Sequence, residues 1–285
     1  MEEKEKNAVE KGVLYLVSTP IGNMSDISER AVKVLSEADF IAAEDTRKTG
    51  LLLSRLGISR PLTSYYEHNK FEKGPKLVER IKGGESCALV TDAGTPAISD
   101  PGADLVRLCS SNGVKTVPVP GACAAIAALT VSALPTDRFV FEGFLPTDAK
   151  NRRIRLEEIK NERKTAVIYE APHKLRGTLA DLAAIAGDRR LTLCRELTKL
   201  NEEIIKTTAA EAPALYAEKE PRGEFVLVLE GRRDEEKTDY PEDVVEHVDS
   251  LIRAGLDRME AIKRAAKERG LPKNVIYTEY SGKNG

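Results

Sequence analysis

Short apolar segments alternate with longer amphipathic segments along most of the chain. The apolar segments are rich in Val, Ile, Leu and aromatic residues and are bounded by Gly, Pro, Asp or Ser, which predicts β-strands. The predicted strands are Val13–Ser18, Phe40–Ala43, Ala88–Thr91, Val114–Val119, Phe139–Phe144, Thr165–Tyr169, Leu191–Glu196, Glu203–Thr207 and Phe225–Glu230. This alternation predicts an α/β fold with largely parallel pairing in the first half of the chain. Since the three strand segments near the end have only one helix among them, the second sheet is predicted to be mixed.

Helical periodicity occupies the segments between the strands. Asp26 and Glu29 have the spacing of a capping box, which predicts a helix through Ala31, Val34 and Leu35. Further helices are predicted over Lys76–Lys82, Leu105–Ser111 and Leu175–Ala186. Three glycines are expected to end helices in the left-handed conformation: Gly57, Gly113 and Gly187.

Changes in composition divide the chain into four predicted parts. A charged N-terminal extension covers residues 1–11, an N-terminal α/β domain 12–135, a C-terminal α/β domain 136–232 and a helical appendage 240–285. The boundary between the two α/β domains falls within Pro135–Lys150, and a polar linker covers Arg232–Asp243. In the appendage, helical spacing relates the apolar residues, and Gly255 and Gly270 separate short helices, in a helix-turn-helix-like outline. Those apolar residues are Val244, Val248, Leu251, Ile252, Met259, Ile262 and Ala266.

Charge and composition narrow the class of protein. The chain has 44 Lys and Arg against 46 Asp and Glu, so its net charge of −2 excludes a protein that coats nucleic acid by bulk charge. The longest mainly apolar run, Ala122–Leu134, is shorter than the roughly 18 residues of a membrane span. The charged N-terminus has no signal-peptide form, so we expect no membrane association and a cytoplasmic location. The four cysteines form no CxxC pair, and we interpret them as small core residues rather than metal ligands.

Candidate chemistry lies in loops that directly follow predicted strands. Neither GxGxxG nor a P-loop occurs, but ligands of open α/β sheets bind at the carboxyl ends of strands. The four loops are Thr19–Asn23 (TPIGN), Glu44–Lys48 (EDTRK), Thr91–Gly102 (TDAGTPAISDPG) and Val117–Ala125 (VPVPGACAA). Each alone is also compatible with an ordinary turn or a helix start. Together they predict a ligand site built from small residues that allow close backbone approach.

The order of these motifs resembles one family. After the four loops come Glu142–Pro146 (EGFLP), Tyr169–Lys174 (YEAPHK), Arg195–Lys199 (RELTK) and Gly223–Phe225 (GEF). The series, over roughly residues 12–232, is similar to the bacterial small-subunit ribosomal RNA ribose 2′-O-methyltransferases, which act on a cytidine of the decoding centre. That family lies in the tetrapyrrole-methylase-like superfamily. EDTR and YEAPHK distinguish it from the porphyrin and corrin methylases, which share mainly the glycine and proline loops.

The resemblance implies a two-domain tetrapyrrole-methylase-like (class III methyltransferase) α/β fold with S-adenosylmethionine between the domains. It also implies 16S rRNA within the small ribosomal subunit as partner, and a homodimer. The residues it implies for cofactor binding are Pro20, Asp92, Ala93, Gly94, Thr95, Pro96, Pro120, Ala122, Ala125, Tyr169, Ala171, Pro172, Leu197, Gly223, Glu224 and Phe225. Cys123 departs from the superfamily, where a hydroxyl residue is common.

Residues for methyl transfer and for RNA binding are less sharply indicated. In-line transfer to a ribose 2′-OH requires alignment and help in deprotonation, and no motif selects one base. The catalytic candidates are Glu44, Asp45, Arg47, Glu170, His173 and Glu196, whereas His68 and His247 are interpreted as surface residues. Two segments, Lys150–Lys164 and Arg253–Lys273, each hold seven cations against three anions and are either solvated faces or RNA-binding faces. The RNA-binding candidates are Lys48, Arg152, Arg153, Arg155, Arg195, Lys199, Lys263, Arg264 and Lys267.

Two other functions remain open from the sequence. A tetrapyrrole methylase of the same fold would share the glycine and proline loops. A non-enzymatic RNA-binding module would leave the four clustered loops unexplained.

Overall fold

The computed structural model describes residues 8–233 and 240–283. The described residues up to Arg232 form one compact unit, and those from Arg233 onward form a second. Most of the predicted N-terminal extension and half of the predicted linker therefore lie outside the described residues. No described helix combines the length and the hydropathy needed to cross a membrane.

The first sheet of the large unit is entirely parallel. Its strands are β1 (Val13–Val17), β2 (Phe40–Ala43), β3 (Leu62–Ser64), β4 (Cys87–Val90) and β5 (Lys115–Val119), in the order β3-β2-β4-β1-β5. Its helices are α1 (Glu29–Glu37), α2 (Thr46–Arg55), α3 (Lys70–Lys82), α4 (Gly102–Ser111) and α5 (Ala124–Val131), and a 3-10 turn covers Met24–Asp26. The predicted parallel pairing is confirmed. Strand β3 escaped prediction because it is three residues long and only half-buried.

Two local predictions about helix ends were wrong in detail. Ser28, not Asp26, caps α1: its side chain accepts a hydrogen bond from the Ala31 backbone N–H at 3.1 Å. Asp26 instead belongs to the 3-10 turn. Gly57 and Gly113 each have φ of 69°, as predicted, but Gly187 has ψ of −119° and so lies outside the left-handed helical region.

The second sheet is mixed, as predicted. Its strands are β6 (Phe139–Phe144), β7 (Thr165–Glu170), β8 (Arg190–Arg195), β9 (Glu203–Thr208) and β10 (Phe225–Leu229), in the order β6-β7-β10-β8-β9. Only β6 and β7 are parallel; the other pairs are antiparallel. Helices α6 (Ala149–Asn161) and α7 (Pro172–Ala186) and a 3-10 turn at Ala212–Tyr216 complete this half.

Helix α5 joins the two halves of the large unit. Its buried residues Ala128 and Leu129 belong to the same hydrophobic cluster as Val167, Val226 and Val228 of the second sheet. Burying this apolar surface fixes the carboxyl ends of the first-sheet strands close to the ends of β7 and β10. The chain changes sheet between Val131 and Phe139. The proposed domain boundary near residue 135 stays a prediction.

The second unit consists of three described helices: α8 (Val244–Arg253), α9 (Arg258–Arg269) and α10 (Lys273–Lys283). Val248 and Ile262 are fully buried in its core, as their spacing predicts, but Met259 is 44% exposed and does not contribute to it. The interpretation of His247 as a surface residue was wrong. Its ring is 1% exposed, because it stacks on Tyr240 at 4.1 Å and bonds to two side chains of α9.

Candidate functional site

A cavity of about 510 Å³ lies where loops of the first sheet face the ends of the second. The first half contributes Ile21, Glu44, Thr91, Asp92, Ala93, Gly94, Thr95, Ile98, Ser99, Asp100, Cys123 and Ala124. The second half contributes Phe144, Tyr169, Glu170, Ala171, Pro172, Cys194, Leu197, Glu224, Phe225 and Val226. The size is that of a pocket for a small organic ligand.

Three loops of the first sheet are tied together on one side of this cavity. Thr19 and Gly94 exchange two backbone hydrogen bonds, of 2.9 and 3.1 Å. The hydroxyl of Thr95 lies 3.0 Å from that of Ser18 and donates to the Ala122 carbonyl at 3.0 Å. Gly94 has φ of 84°, and a Cβ there would lie 3.3 Å from Ile21 Cγ2. The sequence therefore places glycine where the backbone turns back beside the cavity.

The second part of the Thr91–Gly102 loop is held by one carboxylate. Asp100 Oδ1 accepts hydrogen bonds from the backbone N–H groups of Ala97 at 2.9 Å and Gly102 at 2.7 Å. Ala97 and Ser99 have φ of 70° and 64°, which is rare for residues with a Cβ. Burial raises the pKa of Asp100. These rare backbone conformations make the loop a strained, fixed wall of the cavity. Strained backbone of this kind is common at functional sites.

Glu44 contacts the same loop from the end of β2. Its Oε2 accepts hydrogen bonds from the Thr91 hydroxyl at 2.7 Å and from the Asp92 backbone at 3.4 Å. The hydrogen bonds of the described residues leave its Oε1 without a partner. Next to it, Lys48 contacts Asp92 at 2.6 Å, and this hydrogen bond raises the pKa of Lys48. The EDTRK motif and the Thr91–Gly102 loop therefore form one polar wall.

Tyr169 and Glu170 bring the second sheet to the cavity. The Tyr169 hydroxyl accepts a hydrogen bond from the Ala125 backbone at the start of α5, and burial raises its pKa to about 12. Glu170 is 3% exposed; its Oε1 accepts from Ala171 N–H at 2.9 Å and its Oε2 from the Thr178 hydroxyl at 2.5 Å. Both carboxylate oxygens of Glu170 are therefore already engaged.

The RELTK and GEF motifs form the adjoining corner. Lys199 Nζ lies 2.8 Å from carboxylate oxygens of both Glu196 and Glu224, and its hydrogen bond lowers the pKa of Glu196. Gly223, with φ of 89°, packs so tightly that a Cβ would lie 2.5 Å from Glu196 Cγ. Of the two acidic residues only Glu224 lines the cavity, so Glu196 supports the wall from behind.

Comparison with known proteins decides the family. The family model described as Tetrapyrrole (Corrin/Porphyrin) Methylases matches residues 13–213. A Halalkalibacterium halodurans protein named ribosomal RNA small subunit methyltransferase I is 48% identical over 278 residues, covering 95% of each chain. One of the same name from Escherichia coli O157:H7 is 44% identical over 280 residues, covering 97% of each chain. The chain belongs to the ribosomal RNA small subunit methyltransferase I family.

Solved structures share the fold of this family at low sequence identity. A uroporphyrin-III-C-methyltransferase from Thermus thermophilus has a TM-score of 0.54 at 20% identity, covering 76% of this chain and 94% of that one. A structure of such an enzyme from the same organism, complexed with S-adenyl homocysteine, has a TM-score of 0.54 at 18% identity, covering 76% and 96%. Diphthine synthase has a TM-score of 0.57 at 16% identity, covering 76% and 90%. The predicted α/β tetrapyrrole-methylase-like fold is confirmed.

The cavity of this methyltransferase I family member contains many, but not all, of the residues predicted to bind a cofactor. Those that line it are Asp92, Ala93, Gly94, Thr95, Tyr169, Ala171, Pro172, Leu197, Glu224 and Phe225. Those that do not are Pro20, Pro96, Pro120, Ala122, Ala125 and Gly223, of which Ala122 and Ala125 act through backbone hydrogen bonds to lining residues. Lining residues outside the predicted site residues are Ile21, Thr91, Ile98, Ser99, Asp100, Cys123, Ala124, Phe144, Cys194 and Val226. Most of these lie within or beside quoted motifs, so motif position alone could have suggested them.

The catalytic candidates separate into two groups. Glu44 and Glu170 line the cavity, whereas Asp45, Arg47, His173 and Glu196 do not. Asp45 caps α2, and its side chain bonds the backbone N–H of Arg47 at 2.9 Å. Arg47 is 89% exposed, and His173 is exposed in the first turn of α7. No group of three or more His, Cys, Asp or Glu within the described part of the chain could hold a metal ion.

Several RNA-binding candidates are engaged within the protein. Arg152 points inward: it bonds Asp181 at 2.6 Å and Thr178 at 2.9 Å and is 19% exposed. The other candidates that form ion pairs with acidic residues are Lys48, Arg155, Arg195, Lys199 and Arg264. Arg153, Lys263 and Lys267 are exposed. The role of Arg152 in RNA binding stays a prediction. The sequence does not predict that its side chain is engaged with Asp181 and Thr178, because helical periodicity does not reveal which cation faces an acidic neighbour.

Proposed function

We propose that this protein uses S-adenosylmethionine to methylate the ribose 2′-OH of a cytidine in the decoding centre of small-subunit (16S) ribosomal RNA. Relatives that bear the name ribosomal RNA small subunit methyltransferase I match nearly the whole chain at 44–48% identity. The observation that carries the proposal is the cavity built jointly from the family's strand-end motifs.

The residues of the cavity fit S-adenosylmethionine. A volume of about 510 Å³ suits a ligand of that size, and apolar side chains such as Ile21, Leu197 and Phe144 can cover an adenosine. Ala93, Gly94 and Thr95 line the cavity and allow close approach of a ligand, although the Gly94 N–H and C=O are themselves paired with Thr19. When bound, the cofactor supplies an activated methyl group on a sulfonium centre.

The charge of the cavity favours a cationic ligand. Five carboxylates line it, and none of its described lining residues is a lysine, arginine or histidine. These carboxylates belong to Glu44, Asp92, Asp100, Glu170 and Glu224. Asp92 and Glu224 are paired with Lys48 and Lys199, and the remaining carboxylates favour the positive sulfonium of the cofactor.

Glu44 is the group we propose to accept the proton of the 2′-OH. Its Oε2 is held by Thr91 and Asp92, which fixes the carboxylate, while Oε1 remains available at the cavity. Glu170 lacks a free oxygen and is better suited to position Tyr169 and Ala171. A fixed base near the acceptor contributes by removing the proton as the oxygen attacks.

Exposed cations would hold the RNA backbone outside the cavity. Arg153 on α6 and Lys263 and Lys267 on α9 have exposed side chains, and no hydrogen bond or ion pair of the described residues engages them. We further propose a homodimer, as the resemblance implies, and a cytoplasmic location, where the ribosomal substrate is. Sedimentation velocity tests the dimer.

The experiment that tests the function offers labelled methyl donor with small ribosomal subunits lacking the modification, or with a porphyrinogen. We expect label in a cytidine ribose of the RNA, located by nuclease digestion and mass spectrometry. Label in the pigment would support the tetrapyrrole alternative. Binding of subunits without transfer would support the non-enzymatic RNA-binding alternative.

A further inference from the structure

The turn that follows β3 presents two exposed aromatic rings at the carboxyl end of the first sheet. Tyr66 is 39% exposed and His68 is also exposed, and their rings meet edge to face with centroids 6.2 Å apart. Neither ring has a polar partner among the described residues. We call residues Tyr66–Asn69 the aromatic turn.

Hydrogen bonds of Tyr65, the residue directly before the aromatic turn, connect the turn to the polar wall of the cavity. The Tyr65 backbone N–H donates to the carbonyl of Ala43 at 2.8 Å, and Ala43 is the residue directly before Glu44. The buried Tyr65 side chain donates to the Pro101 carbonyl at 3.4 Å, in the loop that also holds Asp100. The turn is thereby connected to two segments that form the cavity.

The turn is also fixed internally. Asn69 Oδ1 accepts from the Tyr66 backbone N–H at 2.8 Å, and Asn69 Nδ2 donates to the Ser64 carbonyl at 3.2 Å. The Asn69 backbone N–H donates to the Tyr66 carbonyl at 3.0 Å. A ring on a pre-formed turn loses little entropy when it stacks on a ligand.

The surrounding charges suit an anionic chain. Glu67 is paired with Lys70 at 2.6 Å, so the acidic residue within the turn is compensated. Arg47, 89% exposed although paired with Asp45 at 3.1 Å, stands in the first turn of α2, which follows the neighbouring strand β2. Exposed aromatic rings and a guanidinium at the same edge of a sheet are groups that bind unstacked bases and their phosphates.

We infer that the aromatic turn is a stacking surface for a nucleobase of the RNA next to the methylated nucleotide. The inference rests on the proposed function, because it takes the RNA to be the ligand whose ribose enters the cavity. Two rings offer the area of one base, far below that of a stable protein interface. Tyr66 and His68 are on this view positioning residues for the RNA, not catalytic residues.

The test compares Tyr66→Ala, Tyr66→Phe and His68→Ala with the unaltered protein, using unmodified small ribosomal subunits. Loss of stacking should weaken subunit binding and raise KM by roughly 5- to 100-fold for Tyr66→Ala. Tyr66→Phe retains the ring and should bind like the unaltered protein. The affinity for S-adenosylmethionine and the melting temperature should not change, which a merely structural role would alter. Phe139→Ala is the matched control, since Phe139 is 38% exposed at the amino end of β6.

Subunit binding is measured by sedimentation, and methyl transfer is measured in a separate assay. The stacking surface and the proposed function can therefore fail independently. Normal subunit binding by both alanine variants would overturn the stacking surface, whatever the activity. Binding that depends on Tyr66 without methyl transfer by the unaltered protein would instead overturn the proposed function and leave the RNA surface supported.

Discussion

The Tyr169 hydroxyl accepts a hydrogen bond from the Ala125 backbone N–H at 3.0 Å, and this bond joins β7 of the second sheet to the first turn of α5. The donor is one of the helix N-terminal amides that lack an intrahelical partner. Because Tyr169 and the neighbouring Cys123 and Ala124 line the cavity, the bond couples both halves of the site.

We predict that Tyr169→Phe weakens cofactor binding more than it weakens the fold. We expect the S-adenosylmethionine Kd to rise by about fivefold, since the bond that joins the two halves of the cavity contributes about 1 kcal/mol to their arrangement. Calorimetry measures this Kd. Tyr15→Phe is the matched control, since the Tyr15 hydroxyl accepts from the Glu10 backbone at 2.7 Å and Tyr15 does not line the cavity. Equal cofactor affinity of the two variants would contradict the coupling.

Gly94→Val should abolish tight cofactor binding while the protein still folds. A residue with a Cβ at φ of 84° costs about 1–2 kcal/mol, and its side chain would enter the space between Ile21 and the cavity. Gly84→Val carries a comparable backbone penalty at φ of 100°, with no atom within 4 Å of the added Cβ. Isothermal titration with S-adenosylmethionine should separate the two, and unchanged affinity of Gly94→Val would remove this loop from the site.

Replacing Glu44 by Gln should lower the rate of methyl transfer at saturating cofactor and RNA by about 10²- to 10⁴-fold. The amide retains the shape of the side chain but does not take up the 2′-OH proton. Asp45→Asn is the control, because Asp45 caps α2 and does not line the cavity. Single-turnover assays decide; a Glu44→Gln enzyme with normal rate would exclude Glu44 as the base.

Charge reversal should have opposite consequences at two adjacent arginines. Arg153→Glu should weaken subunit binding and flatten its salt dependence, since an exposed cation contributes through phosphate contact. Arg152→Glu should instead destabilise the fold by roughly 1–3 kcal/mol, because it breaks the bonds to Asp181 and Thr178. Denaturant unfolding measures the stability of the Arg152→Glu variant. Subunit binding at several salt concentrations measures the effect of Arg153→Glu. A salt slope unchanged by Arg153→Glu would identify α6 as a solvated face.

The second unit should lose stability as the pH falls below about 6.5. His247 accepts from Arg269 Nε at its Nδ1 and contacts Glu268 through Nε2, both at 3.0 Å, so its neutral form fits the site. Burial lowers the His247 pKa from 6.5, and therefore the unfolded chain binds the proton first and stability falls with decreasing pH. The pKa of Glu268 is lowered from 4.5 mainly by its hydrogen bond to Arg264, so this group changes the stability only in a separate, more acidic pH range.

Thermal unfolding, monitored by hydrogen exchange of the backbone amides in α8 and α9, measures how the stability of the second unit depends on pH. His247→Gln offers an acceptor and a donor in similar places and does not titrate, so its stability should be flat between about pH 7.5 and 5.5. An identical pH dependence in the Gln variant would show that another group is responsible.

Much of the large unit could be predicted because its signals are local. Apolar runs followed by glycine and proline loops identify a strand and its carboxyl end together. The sequence alone therefore predicts loops such as Thr91–Gly102. Strand β3 has no such run, and without it the aromatic turn could not be placed beside Glu44. The burial of His247 and the inward orientation of Arg152 depend on partners far along the chain, which periodicity does not encode.

The cavity walls come from residues as far apart in sequence as Ile21 and Val226. A ribosome that is making this protein must therefore synthesise nearly all of the large unit before any complete cofactor site exists. Domains fold as their segments emerge, and here β1 must wait for β4 and β5 to complete its pairing. Newly made chains thus lack a complete cavity until late in synthesis, and the proposed cofactor S-adenosylmethionine would stabilise only chains that have already brought both sheets together.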